Sequence, residues 1–191
     1  ALEQAKVNPA DVQILNMRPP EVRAAWQRGD IQATYIWDPV LAEVKKDGKV
    51  ILTSGKLSAD TGKATFDGYV VNKDWAKNNR DFMVGFVKVL AKADESYRAN
   101  KAKWTPEAAE VKAVAKWSGA KAEDVPAGMG LYRFPTLAEQ NTKWLGGGKD
   151  SLAAKALSAT GQFQLSQKQI EKTLPDYSVV VNPGYVQAAM K

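Results

Sequence analysis

Asp67 stands inside an apolar run, Ala64 to Asn72 (ATFDGYVVN), in which Phe66, Tyr69, Val70 and Val71 predict a strand. A carboxylate in such a strand is costly to bury unless it is paired or faces a polar cleft. From the residues alone, a bond to a neighbouring Lys or to backbone is the default reading of Asp67, and contact with a ligand in a polar cleft is the alternative. A second set of chemistry-bearing residues ends another apolar run, Ile31 to Ile36, at Trp37-Asp38-Pro39. Strand alternation puts Tyr35 and Trp37 on one face and Ile36 on the other. Aromatic rings bring large apolar area with one polar handle each, so the two could wall a pocket, and plain core packing is the alternative. Met17 lies in a second such loop, Asn16-Met17-Arg18, just after the run Val12 to Leu15.

The composition removes several chemistries. With no His, neither Ser-His nor Cys-His catalysis nor an ordinary zinc site is open; with no Cys, neither are disulfides or thiolate metal sites. A mechanism built on carboxylates alone, at Asp67 and Asp38, remains compatible with the composition. The 27 basic and 21 acidic residues leave a net charge of +6, which could draw in an anionic ligand. The Lys and Arg residues are spread along helices, without a basic stripe interleaved with aromatics, so no nucleic-acid partner is expected.

Two short motifs resolve into structural readings. Ser118-Gly119-Ala120-Lys121 matches the S-x-x-K nucleophile pattern, but it falls where a helix ends at a glycine and lacks companion motifs, so helix capping is the better account. Gly146-Gly147-Gly148-Lys149 suggests a phosphate loop. Lys143 stands where the first glycine should be, Asp150 stands where Ser or Thr should be, and no strand precedes it, so a flexible connector is expected.

These residues need elements to hold them. Pro19 and Pro20 open a helix in which Val22, Ala25 and Trp26 form the packing face, and Gly29 ends it. Flanking runs at Val12 to Leu15 and Ile31 to Ile36 read as buried strands, and the loops beyond the C-termini of such strands are where parallel sheets bind ligands. Pro39 opens a further helix ending at Asp47-Gly48. Lys49 to Leu52 reads as a strand, and Ser54 to Lys63, with Gly55 and Gly62, as a loop. Asp74 is a plausible N-cap for a long helix carrying Phe82, Phe86, Val89, Leu90, Ala93 and Tyr97 on one stripe. Thr105-Pro106 starts the next, with Val111, Val114 and Trp117 inward and Gly119 closing it, and short helical pieces follow. The order βαβαββ and then helices predicts an α/β body with a helical C-terminal half. No stretch approaches the ~20 apolar residues of a membrane span, and Ala1 opens no signal peptide, so a soluble chain is expected.

The phrase VQILNMRPPEVRAAWQRGDIQATYIWDP closely resembles the second lobe of the taurine-binding proteins of bacterial ABC importers, within the wider family of sulfonate, nitrate and thiamine-precursor binding proteins. The Pro-Pro pair, AAWQRGDI, Tyr-x-Trp-x-Pro, KDGKV at Lys46 to Val50, and Asp67 followed by Val70-Val71-x-Lys73-Asp74 carry it. It is dense from about Val7 to Trp75 and faint beyond about Lys101.

The resemblance implies a two-lobed, type II periplasmic-binding-protein fold. Residues 1–60 would be the remainder of the second lobe, and 61–191 a crossover strand and helical part packing on the first. It also implies that the first lobe's N-terminal sheet and an anion-binding turn lie upstream of Ala1. The implied function is capture of a small sulfonate such as taurine, or a related anion or zwitterion, by hinge closure. The solute and an inner-membrane ABC permease would be the partners, with no cofactor and no enzymatic step. The setting would be the periplasm, or the outer face of a Gram-positive cell as a lipoprotein. Asp67 would pair with the ligand's amine from across the hinge, and Trp37, Met17, Asp38 and Tyr35 would line the pocket. Asp38 stands where the pattern carries a small apolar residue; it adds a negative charge that would disfavour a sulfonate or favour a second amine. The Ser54 to Lys63 loop lacks the family's aromatic there, and Lys63 is a candidate counter-charge. The alternatives are an enzyme of the thiamine-pyrimidine-synthase branch, whose His and Cys this chain lacks, and a ligand-sensing lobe.

Overall fold

Helices carry the regular structure that the computed structural model holds among its described residues, 1–2, 4–62 and 65–191. In chain order they begin with α1 (Pro19–Arg28), α2 (Val40–Val44), α3 (Ser54–Thr61), α4 (Lys73–Asn78) and the long α5 (Arg80–Asn100). Then come α6 (Ala109–Ser118), α7 (Val125–Met129), α8 (Leu137–Glu139), α9 (Leu152–Ser166) and α10 (Gly184–Ala189). A π-helical turn, Gln140–Leu145, continues directly from α8.

The expected α/β body is corrected: among the described residues no segment pairs into a sheet. The runs read as strands at Val12 to Leu15, Ile31 to Ile36 and Lys49 to Leu52, and the described part of Ala64 to Asn72, are non-helical but have no ladder neighbour. Val70 is 97% exposed and Ile51 85%. Apolar, β-branched composition states what a segment would bury, whereas a strand also needs a neighbour for its N–H and C=O groups. Ala64 and Lys63 lie outside the described residues.

Local chemistry explains the helix ends. Arg18 N–H donates to Glu21 Oε2 at 2.8 Å ahead of the two prolines, and Gly29 closes α1 at φ +76°. Ser54–Thr61 is helical rather than a loop: Lys56 and Asp60 pair at 2.7 Å one turn apart, and the Thr61 hydroxyl donates back to the Leu57 carbonyl. The residue capping α4 is Asn72, whose side chain accepts the Trp75 N–H at 2.9 Å, and Asp74 sits in that helix's first turn. Thr105-Pro106 forms a turn ahead of α6, whose N-cap is Ala108. Gly119 ends α6 at φ +74° while the Ser118 hydroxyl donates to the Val114 carbonyl and accepts the Ala120 N–H, the capping role expected of that motif.

Ala1–Thr53 with Asn100–Arg133 form one unit, and Ser54–Ala99 with Phe134–Lys191 another. In the first, α1 packs on α2 through Val22, Val40 and Val44, with Met17, Trp26, Ile31 and Ile36 around them. Each of the three valines contributes about 1.5–3 kcal/mol on burial. Val111 of α6 is fully buried, and α6 packs on α7. Trp117, expected to face inward, is 83% exposed.

In the second unit α9 is the hub, packing against the π-helical turn and the 3-10 turn Tyr177–Val180. The buried Ser151 caps it, accepting the Ala154 N–H at 3.2 Å. Tyr97 of α5 meets Phe134 edge-on at 5.1 Å, and the Arg98 guanidinium donates to the Phe134 carbonyl at 3.0 Å. Phe82 and Val89, expected on the packed stripe of α5, are largely exposed, and Met83 and Tyr97 are the residues it buries.

Candidate functional site

Asp38 is the best-built of the residues singled out in the sequence. It follows Trp37, precedes Pro39 across a cis peptide bond, and accepts the N–H of Ala42, in the first turn of α2, on Oδ1 at 3.0 Å. The same helix start gains a bond from Leu41 N–H to the Trp37 carbonyl at 3.0 Å. The second carboxylate oxygen faces Gly128 of α7, where a Cβ would stand only 2.8 Å away, so this approach requires glycine. Asp38, Ala42, Lys45, Lys46, Asp124 and Gly128 line a cleft of about 220 Å³, two lysines and two aspartates among them.

A second cleft, of about 350 Å³, shares Lys46 with the first and is lined by residues of α1 and α2. Its Arg23 Nε and Glu43 Oε2 are 2.8 Å apart, and the Trp26 indole N–H donates to Asp47 Oδ1 at 2.8 Å. Lys46 and Lys121 complete the wall. Lys121 appears in the sequence only within a helix-capping motif, and nothing local marks Asp124 or Gly128, because all three come from a stretch of chain distant from α1 and α2.

The other expected site residues divide. Met17 packs against the Val22, Val40 and Val44 cluster, alongside Ile36. Tyr35 and Trp37 are 67% and 54% exposed. Asp67 belongs to the other unit and is exposed, in a non-helical segment anchored by its aromatic neighbours. Phe66 packs against Trp144 with centroids 5.8 Å apart, and Tyr69 meets Phe86 edge-on at 5.2 Å. Lys63 lies outside the described residues.

These groups offer charge, hydrogen bonds and aromatic surface, the components of a binding site. Among the described residues no three metal-binding side chains gather in one place, and no helix is long and apolar enough to cross a membrane.

Comparison with known proteins fits a binding role. The chain is 35% identical over 189 residues to the taurine-binding periplasmic protein of Escherichia coli (strain K12), a match covering 98% of this chain and 57% of that relative. Two further relatives carry the description "Putative aliphatic sulfonates-binding protein". The one from Escherichia coli (strain K12) is 30% identical over 102 residues, covering 53% of this chain and 31% of its own. The one from Bacillus subtilis (strain 168) is 34% identical over 84 residues, covering 44% and 24%. The chain thus spans little more than half the length of the first of these relatives and matches less of the others. The model of the NMT1-like family matches residues 1–115, the part that contains α1, α2, Trp37, Asp38 and Asp67, and the chain belongs to that family.

Proposed function

We propose that this chain is part of the solute-binding component of an ABC importer that captures a small sulfonate, taurine or a related anion or zwitterion. The observation that carries the reading is the 35% identity to a taurine-binding periplasmic protein across 98% of the chain. In this reading the protein is not an enzyme. It binds outside the cytoplasm, and a membrane permease receives its cargo.

The fold proposed is the two-lobed type II arrangement, residues 1–60 belonging to the second lobe and 61–191 to the crossover and helical part. Mechanism is then selection of a closed state by ligand contacts, since a ligand shifts a hinge equilibrium only by binding one state better than the other. Asp67 supplies a carboxylate for the ligand's ammonium group. Trp37 and Tyr35 supply aromatic walls, Met17 an apolar boundary, and Asp38 a negative charge that favours zwitterions over simple anions.

Titration calorimetry of the protein as its gene encodes it tests this. Taurine should bind with a low-micromolar or tighter dissociation constant, and Asp67→Asn should weaken it selectively over ethanesulfonate, which lacks the amine. Absence of heat with every sulfonate, amine and nitrate tried would overturn the reading.

A further inference from the structure

The geometry points to Trp144 and Phe86 as positioning residues that fix the Asp67 carboxylate and so set the preference for an amine-bearing ligand. This inference rests on the proposed role of Asp67. The segment that carries Asp67 is non-helical and has no ladder partner among the described residues, so backbone pairing does not hold it. Ring contacts lie on either side instead. One residue before Asp67, Phe66 lies against Trp144, with centroids 5.8 Å apart and planes tilted by 51°. Two residues after it, Tyr69 meets Phe86 at 5.2 Å and 88°. Tilted and edge-on pairs at these separations have the geometry that the ring quadrupole favours, so each contact has a preferred orientation as well as an area.

Both anchors are themselves held. Trp144 belongs to the π-helical turn, which grows from a capping box in which Thr136 N–H donates to Glu139 Oε2 at 3.0 Å and Glu139 N–H donates to Thr136 Oγ1 at 3.2 Å. Gln140 Nε2 donates to the Pro135 carbonyl at 3.0 Å, Thr142 Oγ1 donates to the Ala138 carbonyl at 2.8 Å, and the turn packs on α9. Phe86 is in the interior of α5 and stacks on Phe82, which in turn meets Trp75. An exposed carboxylate carried between two such clips has its position set by side chains distant in sequence, and a charged pair with a ligand ammonium depends steeply on that position.

The test compares the affinities for taurine and for ethanesulfonate, by calorimetry on the protein as its gene encodes it. Trp144→Leu and Phe86→Leu should each weaken taurine about tenfold while moving ethanesulfonate less than about twofold, and Trp144→Phe, which restores a ring, should recover most of the loss. Thermal denaturation of each variant identifies any that fail to fold, and the milder Trp144→Phe and Phe86→Tyr variants then supply the comparison. If Asp67→Asn erases the preference for taurine but the leucine variants leave it unchanged, or weaken both ligands equally, the positioning role is wrong and the role of Asp67 stands. If Asp67→Asn leaves the preference intact, the role of Asp67 is wrong and the positioning role falls with it.

Discussion

Asp38 and Gly128 meet so closely that a single added carbon at Gly128 would lie 2.8 Å from Asp38 Oδ2 and 3.1 Å from its Cγ. The carboxylate has little freedom to retreat, because Oδ1 is engaged by the Ala42 N–H and the side chain is short. Gly128→Ala should therefore destabilise by about 1–3 kcal/mol, the usual cost of overpacking. Asp38→Ala should cost about 0.5–1.5 kcal/mol through loss of the hydrogen bond to the Ala42 N–H. The two should be strongly non-additive, since Asp38→Ala removes the atoms that Gly128→Ala strikes. Chemical denaturation of the single and double variants measures the coupling; additive losses would show that the contact does not govern either.

Two helical glycines should respond with opposite signs. Gly85, inside α5, has open space where a Cβ would go, so Gly85→Ala should stabilise by about 0.5–1 kcal/mol from helix propensity alone. Gly161, inside α9, is buried beneath Tyr177, whose hydroxyl and Cζ both stand where the Cβ would go, Cζ at 2.9 Å. Gly161→Ala should lower the melting temperature despite the better propensity of alanine. Tyr177→Phe removes the nearest atom and should recover part of that loss.

How far such features could be read in the sequence depends on whether they are local. The bounds of α1 follow from Pro19, Pro20 and Gly29, and the end of α6 from Ser118 and Gly119, because caps and left-handed glycines act within a few residues. Trp117 failed for a geometric reason: repeated three-residue steps from Val111 through Val114 drift round a 3.6-residue helix by about 60° each, so Trp117 ends about 120° away from Val111. Gly55 and Gly62 suggest a loop by residue type. Only Gly62, at φ +69° beyond Thr61, ends an element, while Gly55 is within the first turn of α3. At the candidate site, Tyr35 and Trp37 stand out by residue type and alternation, and Asp38 by its departure from the family pattern. Asp124 and Gly128, which share the cleft with Asp38, could not be named in this way, nor could the pairing of Phe66 with Trp144, because non-local packing leaves no periodic trace.

The pairing of Trp26 with Asp47 gives a test of the second cleft. The indole N–H reaches a carboxylate 21 residues away at 2.8 Å, pinning the turn after α2 onto α1. Asp47→Asn keeps an oxygen acceptor and should change stability little, whereas Asp47→Leu should cost about 1 kcal/mol, the net worth of one such bond. The indole N–H resonance of Trp26 should shift in the leucine variant far more than in the asparagine variant. Equal shifts would mean that charge, and not the hydrogen bond, sets the contact.

Asp94 and Asp176 should give stability profiles of opposite slope in acid. Burial raises the pKa of Asp94 from its ordinary 3.8, and the Arg98 guanidinium offsets part of the rise. The folded chain then keeps this proton to higher pH than the unfolded chain, so Asp94 favours folding most at low pH. That contribution is lost as pH climbs from 3.8 through the raised folded value. For Asp176, bonds from the Ser178 N–H, at 2.8 Å, and then from its hydroxyl hold the carboxyl below 3.8. Its stabilisation is complete above 3.8 and disappears as pH falls through the lowered folded value. Denaturation series on Asp94→Asn and Asp176→Asn between about pH 2 and 6 separate the two. The stability of the protein minus that of Asp94→Asn should fall with rising pH, and the same difference for Asp176→Asn should rise. Parallel slopes would refute the assignment of burial to one carboxyl and hydrogen bonding to the other.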